Sequence, residues 1–153
     1  MQFLEYQMLE ARNLLCTTTR LDIEDLDKSL READELLRSY GVSDQYATKY
    51  IVISDFENPT INLNISMNKK IVNVKKPFWY KERIYLIHAV KTRHEGNLFE
   101  LWDSLSQLMR YLNTNKLKPI TPYYCKILSG LKNSRDTCNM IIDVYVGING
   151  NIS

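Results

Sequence analysis

Asp143 stands inside the apolar run CNMIIDVYVGI at 138–148, and with Tyr145 two places on it forms the pair best suited to chemistry in this chain. Side chains alternate along a strand, so Ile141, Asp143 and Tyr145 share one face while Met140, Ile142, Val144 and Val146 share the other. A carboxylate beside a phenol can attract a cation, through charge and through the ring quadrupole. It can also activate water, the carboxylate acting as base and the phenol as donor. The plain alternative is an acid on the solvated face of an antiparallel sheet. His94, followed by Glu95 and Gly96, sits where a strand gives way to a helix and is expected to hydrogen-bond that turn. His88 lies within a strand and reads as structural, and the spacing of the two histidines encodes no metal site. Trp79 stands between Phe78 and Tyr80 directly after Lys75, Lys76 and Pro77. There it reads as part of the link between two halves, free to cover a cleft, to mediate self-association or to pack the link.

The elements that must position these residues follow from periodicity. FLEYQMLEARNLLCTTTRL reads as strand and leads to Asp22, a helix N-cap. Leu26, Leu30, Ala33, Leu36 and Leu37 recur at helical spacing, and Gly41 supplies the stop. KYIVISDF, a turn at ENPT and INLNISM make a hairpin whose last strand puts Ile61, Leu63, Ile65 and Met67 on one face and Asn62, Asn64 and Ser66 on the other. After the basic stretch NKKIVNVKKPFWYKER the order recurs: the strand RIYLIHAVKT, a helix, the segment PYYCKIL, and IIDVYVGI. Asn97 with Glu100 resembles a capping box, and Leu98, Leu101, Trp102, Leu105, Leu108, Met109 and Leu112 form a wide apolar stripe in which Trp102 reads as core. Matching ELLRSYGV with QLMRYLNTNKL, and INLNISM with MIIDVYV, makes two pseudo-repeats of about 1–74 and 80–150 within one domain, and brings Asn64 and Asp143 to equivalent places. The expected fold is α+β: duplicated β-α-β-β units, with two main helices packed on one face of an antiparallel sheet.

Composition narrows the function. Twenty Lys and Arg against eighteen Asp and Glu leave a formal charge of +2 over 153 residues, too little one-sidedness for a chain whose main partner is nucleic acid. The basic set Lys69, Lys70, Lys75, Lys76, Lys81 and Arg83 reads as a solvated face. Cys16, Cys125 and Cys138 are far apart and odd in number, which suits a reducing cytoplasm, and no apolar run approaches the roughly 18 residues of a membrane span. Ten tyrosines are the one unusual count, and Tyr lines ligand sites because it joins an apolar body to a polar tip.

TRHEGNLFELWDSLSQLMRYLNTNKLKPITPYYCKIL followed by MIIDVYVGI resembles the second half of the gyrase-inhibitor-like small-molecule-binding domains, found also as effector-binding domains of AraC-type and multidrug-sensing MerR-type regulators. His94 and Gly96 match the family's strand end, Tyr111 and Leu112 its late helical pair, and Pro122 and Tyr124 its next strand. Asp143, Val144, Val146, Gly147 and Ile148 fall on its last strand. The chain departs from the family's pattern in having Asp143 for Glu, Leu98 for a helix-proximal Tyr, and Gly147 for Pro. What the resemblance implies is a cleft between the halves that takes amphipathic, often cationic, organic molecules, with Asp143 as the partner of the ligand's charge. Tyr145, Ile141, Asn64, Asn62, Leu98, Tyr124 and Trp79 are the further candidate lining residues, and no cofactor is implied. Three roles follow. The first is a sensor, sequestering protein or effector domain working with a DNA-binding regulator. The second is a hydrolase of reactive small molecules using Asp143 and Tyr145. The third is a partner of gyrase or of another protein.

Overall fold

The computed structural model of the chain describes residues 1–42, 47–58, 60–131 and 136–149. Its elements are β1 (Phe3–Arg20), α1 (Ile23–Ser39), β2 (Thr48–Ile53), β3 (Thr60–Ser66), β4 (Trp79–Gly96), α2 (Leu101–Thr114), β5 (Pro119–Ser129) and β6 (Met140–Ile148), with a 3-10 turn at Leu98–Glu100 leading into α2. Strand, helix, strand, strand is followed by the same order again. Asp22 caps α1 as its type requires, its carboxylate accepting from the Asp25 amide at 2.9 Å. Both helices end in one motif. The amide of Val42 donates to the Leu37 carbonyl at 2.9 Å and that of Leu117 to Leu112 at 2.9 Å, with Gly41 and Lys116 at positive φ between. Pro59 of the ENPT turn lies outside the described residues. Among the described residues no helix is long and apolar enough to cross a membrane.

The sheet closes on itself in the order β1-β3-β2-β5-β6-β4, every pair antiparallel. Closure comes from β1 and β4, which pair with each other across the two halves. Because β1 is 18 residues long it offers a ladder well before Arg83, and β4 takes up Trp79, Tyr80 and Lys81 opposite Cys16, Leu15 and Leu14. Trp79 is therefore a strand residue and not part of the link between halves.

Period-two alternation then divides the apolar residues into two cores. Outward-facing Ile51, Ile53, Ile61, Leu63, Ile65, Val90, Ile142, Val144 and Val146 pack under Leu26, Leu30, Ala33 and Leu37 of α1 and Leu101, Leu105, Leu108 and Leu112 of α2. Inward-facing Leu9, Ala11, Leu14, Cys16, Tyr50, Val52, Ile84, Leu86, Ala89, Tyr124 and Tyr145 meet inside the barrel. The sheet face expected to border a cleft is the inner face of the closed sheet, opposite the face that carries the helices.

Candidate functional site

Residues directly opposite on paired antiparallel strands share a face, so the registers lay out the inner face as rows. One row runs Cys16, Asn64, Tyr50, Lys126, Asp143, Arg93 across all six strands. The next runs Thr18, Asn62, Val52, Tyr124, Tyr145, Lys91. Asn64 and Asp143, matched by the sequence, stand in one row, and Tyr145 with Tyr124 stands in the row beside it.

Asp143 is only 4% exposed, yet it is fully paired. Arg93 grips it with two hydrogen bonds, Nε to Oδ1 at 2.8 Å and Nη2 to Oδ2 at 3.3 Å, and Lys91 Nζ lies 3.3 Å from Oδ2. Burial works to raise the carboxyl's pKa, but the Arg93 hydrogen bonds and then the charge of Lys91 outweigh it and hold the group below its ordinary value. The carboxylate expected to await a ligand cation is already shared by two cations of its own chain. The same holds for the rings: Lys91 Nζ is 5.8 Å from the Tyr145 centroid and Lys81 Nζ 5.7 Å from that of Tyr124. Burial raises the pKa of Tyr145, and it pushes Tyr50, with Tyr145 adding to the effect, up to about 12. Both rings are neutral hydrogen-bonding groups at physiological pH. The Thr18 hydroxyl lies 3.2 Å from Asn62 Oδ1, whereas Asn64 Oδ1 is buried with no partner. Buried polar atoms are usually hydrogen-bonded, so the Asn64 oxygen is an exception on this face.

The other candidates divide. Ile141, half-buried, lies opposite Glu95 at the end of the inner face, and Trp79, 39% exposed, lies opposite Cys16 at the other end of β4. Leu98 stands apart from that face. It is 0% exposed in the outer core with Leu101 and Leu105, because the 3-10 turn after Asn97 carries it under α2, away from the inner face. Asn97 caps that turn by accepting from Phe99 N at 2.8 Å, and the Glu100 amide donates back to the Asn97 carbonyl at 3.1 Å while its side chain makes no cap bond. His94 holds the turn as expected: Nε2 lies 2.8 Å from the Asn97 carbonyl and must donate there, leaving Nδ1 to accept from Ser104 Oγ at 2.7 Å. His88 stacks under Tyr6 with centroids 5.0 Å apart, and Trp102 packs edge-on against Phe56 at 6.5 Å. Sequence reasoning missed Lys91, Arg93, Lys126 and Tyr50. VKTR shows Lys91 and Arg93 alternating onto one face, but nothing in it says that β6 lies alongside.

Gly147 has a local cause. A Cβ there would stand 2.6 Å from Thr121 Cγ2, and the Gly147 amide donates to Thr121 Oγ1 at 2.8 Å. The proline of the resembled family would lose that bond and clash. Gly147→Ala is expected to cost about 2 kcal/mol, read from urea denaturation, as overpacking commonly does; an unchanged midpoint would show that Thr121 turns aside freely.

No protein-family model and no curated protein sequence matches the chain. Solved structures do. The EcmrR C-terminal domain superposes with a TM-score of 0.73 at 16% identity, covering 97% of this chain and 99% of that one. EcmrR in its complex with DNA superposes at 0.69 with 13% identity, covering 96% of this chain and 57% of that one, so the chain spans little more than half of that protein. A hydrolase from Listeria innocua superposes at 0.57 with 12% identity, covering 94% and 91%. At such identities the likeness is one of fold. The chain has the fold of the EcmrR C-terminal domain and of the Listeria innocua hydrolase.

Proposed function

We propose that this chain is a small-molecule-binding module in which the inner face of the barrel receives an amphipathic aromatic compound, and that occupancy is read out as sensing, in transcription regulation or sequestration. One observation carries the reading: three tyrosines, Tyr50, Tyr124 and Tyr145, adjoin a buried, ion-paired Asp143 on a face away from the helices. Aromatic walls with a few convergent polar groups are the usual make-up of ligand sites. Two of the rings, Tyr124 and Tyr145, are covered by Lys81 and Lys91, so binding exchanges those contacts for the ligand's. Since EcmrR is a DNA-complexed protein of similar fold over its C-terminal domain, a DNA-binding regulator is the favoured partner, in the same polypeptide or another. The three unpaired cysteines suit a cytoplasmic setting.

Thermal denaturation against a panel of aromatic compounds tests this. A binder at a hundred times its Kd stabilises by about 2.7 kcal/mol, and Tyr145→Ala abolishes the shift. If no amphipathic aromatic raises the melting temperature, the reading is wrong.

A hydrolase is the second reading, favoured by the Listeria innocua hydrolase of like fold. It fits less well. A general base works best with a pKa near the working pH, and Asp143 is held below the ordinary carboxylate range, while the Tyr145 phenol is raised. Turnover of aryl esters that vanishes in Asp143→Asn would restore it.

A further inference from the structure

The charges on the inner face run opposite to those of a cation trap. Asp143 is the carboxylate of the two central rows, and it is saturated by Arg93 at 2.8 Å and Lys91 at 3.3 Å. Lys126 stands directly opposite it on β5, half-buried on the same face, and among the described residues no ion pair joins it. Lys81 adds a fourth cation over Tyr124. Against these four stand Asp143, the carboxylate of the two central rows among the described residues, and exposed Glu95 at the strand end. A ligand cation entering here must displace Lys91 from the Tyr145 ring and then lie among like charges. Each such encounter opposes the binding of a cation, and an anion gains by the same law.

Resting on the proposal that the inner face binds small molecules, we infer that its ligand is an aromatic carboxylate and not an organic cation. Lys126 receives the carboxylate, Arg93 and Lys91 add to the field while keeping Asp143, and the aromatic body lies against Tyr124 and Tyr145. Asn64, whose buried Oδ1 has no partner, selects for a hydroxyl or N–H group on the ring. The role of Asp143 is correspondingly different: it holds Arg93 and Lys91 in place by opposite charge and does not meet the ligand.

Three probes of one shape isolate the charge: 2-naphthoate, 2-naphthylmethanol and 2-naphthylmethylammonium, titrated calorimetrically at low and at high salt. The expected order is naphthoate at least tenfold tighter than the alcohol and the ammonium weakest, with the naphthoate advantage shrinking as salt screens it. Lys126→Met should cut naphthoate affinity about tenfold and leave the alcohol unchanged, while Lys126→Arg restores it. Circular dichroism melts establish that both variants are folded. Ammonium binding as tight as naphthoate, or a Lys126→Met variant that keeps full naphthoate affinity, overturns the inference while the ligand-binding reading stands. Failure of all three probes to bind overturns both.

Discussion

Asp143→Asn is expected to lower the unfolding free energy by about 3 kcal/mol in urea denaturation at neutral pH. Removing one partner of a buried ion pair typically costs 3–5 kcal/mol, because the remaining charge is left uncompensated. Here the lower end applies, since the Arg93 side chain is 48% exposed and can reach water, while that of Lys91 is 22% exposed and less able to. The sign of the pH dependence follows from the lowered pKa of Asp143. Its contribution is complete above the unfolded carboxylate value of about 3.9 and is lost as pH falls through the lower folded value. The gap between the wild-type protein and Asp143→Asn should therefore be constant from pH 5 to 7 and close below pH 4. A gap that instead widens in acid, or a variant as stable as the parent at neutral pH, would mean that the two cations find water without loss and that Asp143 organises nothing. Asp143→Asn also separates two accounts of the site. With a cationic ligand, affinity falls for want of the counter-charge. With an anionic one, the freed Arg93 and Lys91 keep or raise affinity in whatever fraction stays folded.

Leu98→Ala should be as costly, about 3 kcal/mol, and without effect on ligand affinity. Leu98 is fully buried among Leu101, Leu105 and the outward row of the sheet, and truncating such a leucine forfeits its transfer energy and leaves a cavity, for 2–5 kcal/mol in all. The resemblance to gyrase-inhibitor-like domains put this position at the ligand because it corresponds to a tyrosine next to the helix. The stability is measured by denaturant titration, and the affinity calorimetrically with the probe that binds the parent, at a temperature where the variant is folded. A normal midpoint with a weakened ligand would return Leu98 to the site.

Much of the inner face was legible because it depends on local alternation. INLNISM and MIIDVYV each declare two faces within seven residues, and whichever face the helices cover, Asn64, Asp143 and Tyr145 lie on the other. Asp22 and Gly41 marked the bounds of α1, since an N-cap oxygen and a residue at positive φ are demands of the local backbone. Trp79 was misplaced for a tertiary reason. WYKER carries too many charges to read as strand alone, and it becomes one because β1 extends alongside and supplies the ladder.

What the sequence determined by itself is the list of faces: which residues alternate, which stripe of each helix is apolar, where the chain must turn. These follow from repeats of two and 3.6 residues that any short segment carries with it. Only the tertiary structure decided what stands next to Asp143. Arg93 is 50 residues away in the chain, and it comes opposite through the β4–β6 register, which is set by the fit of whole strands under two helices and by the closure of the sheet through β1 and β4. A charge that looked alone in the sequence is neutralised from the neighbouring strand.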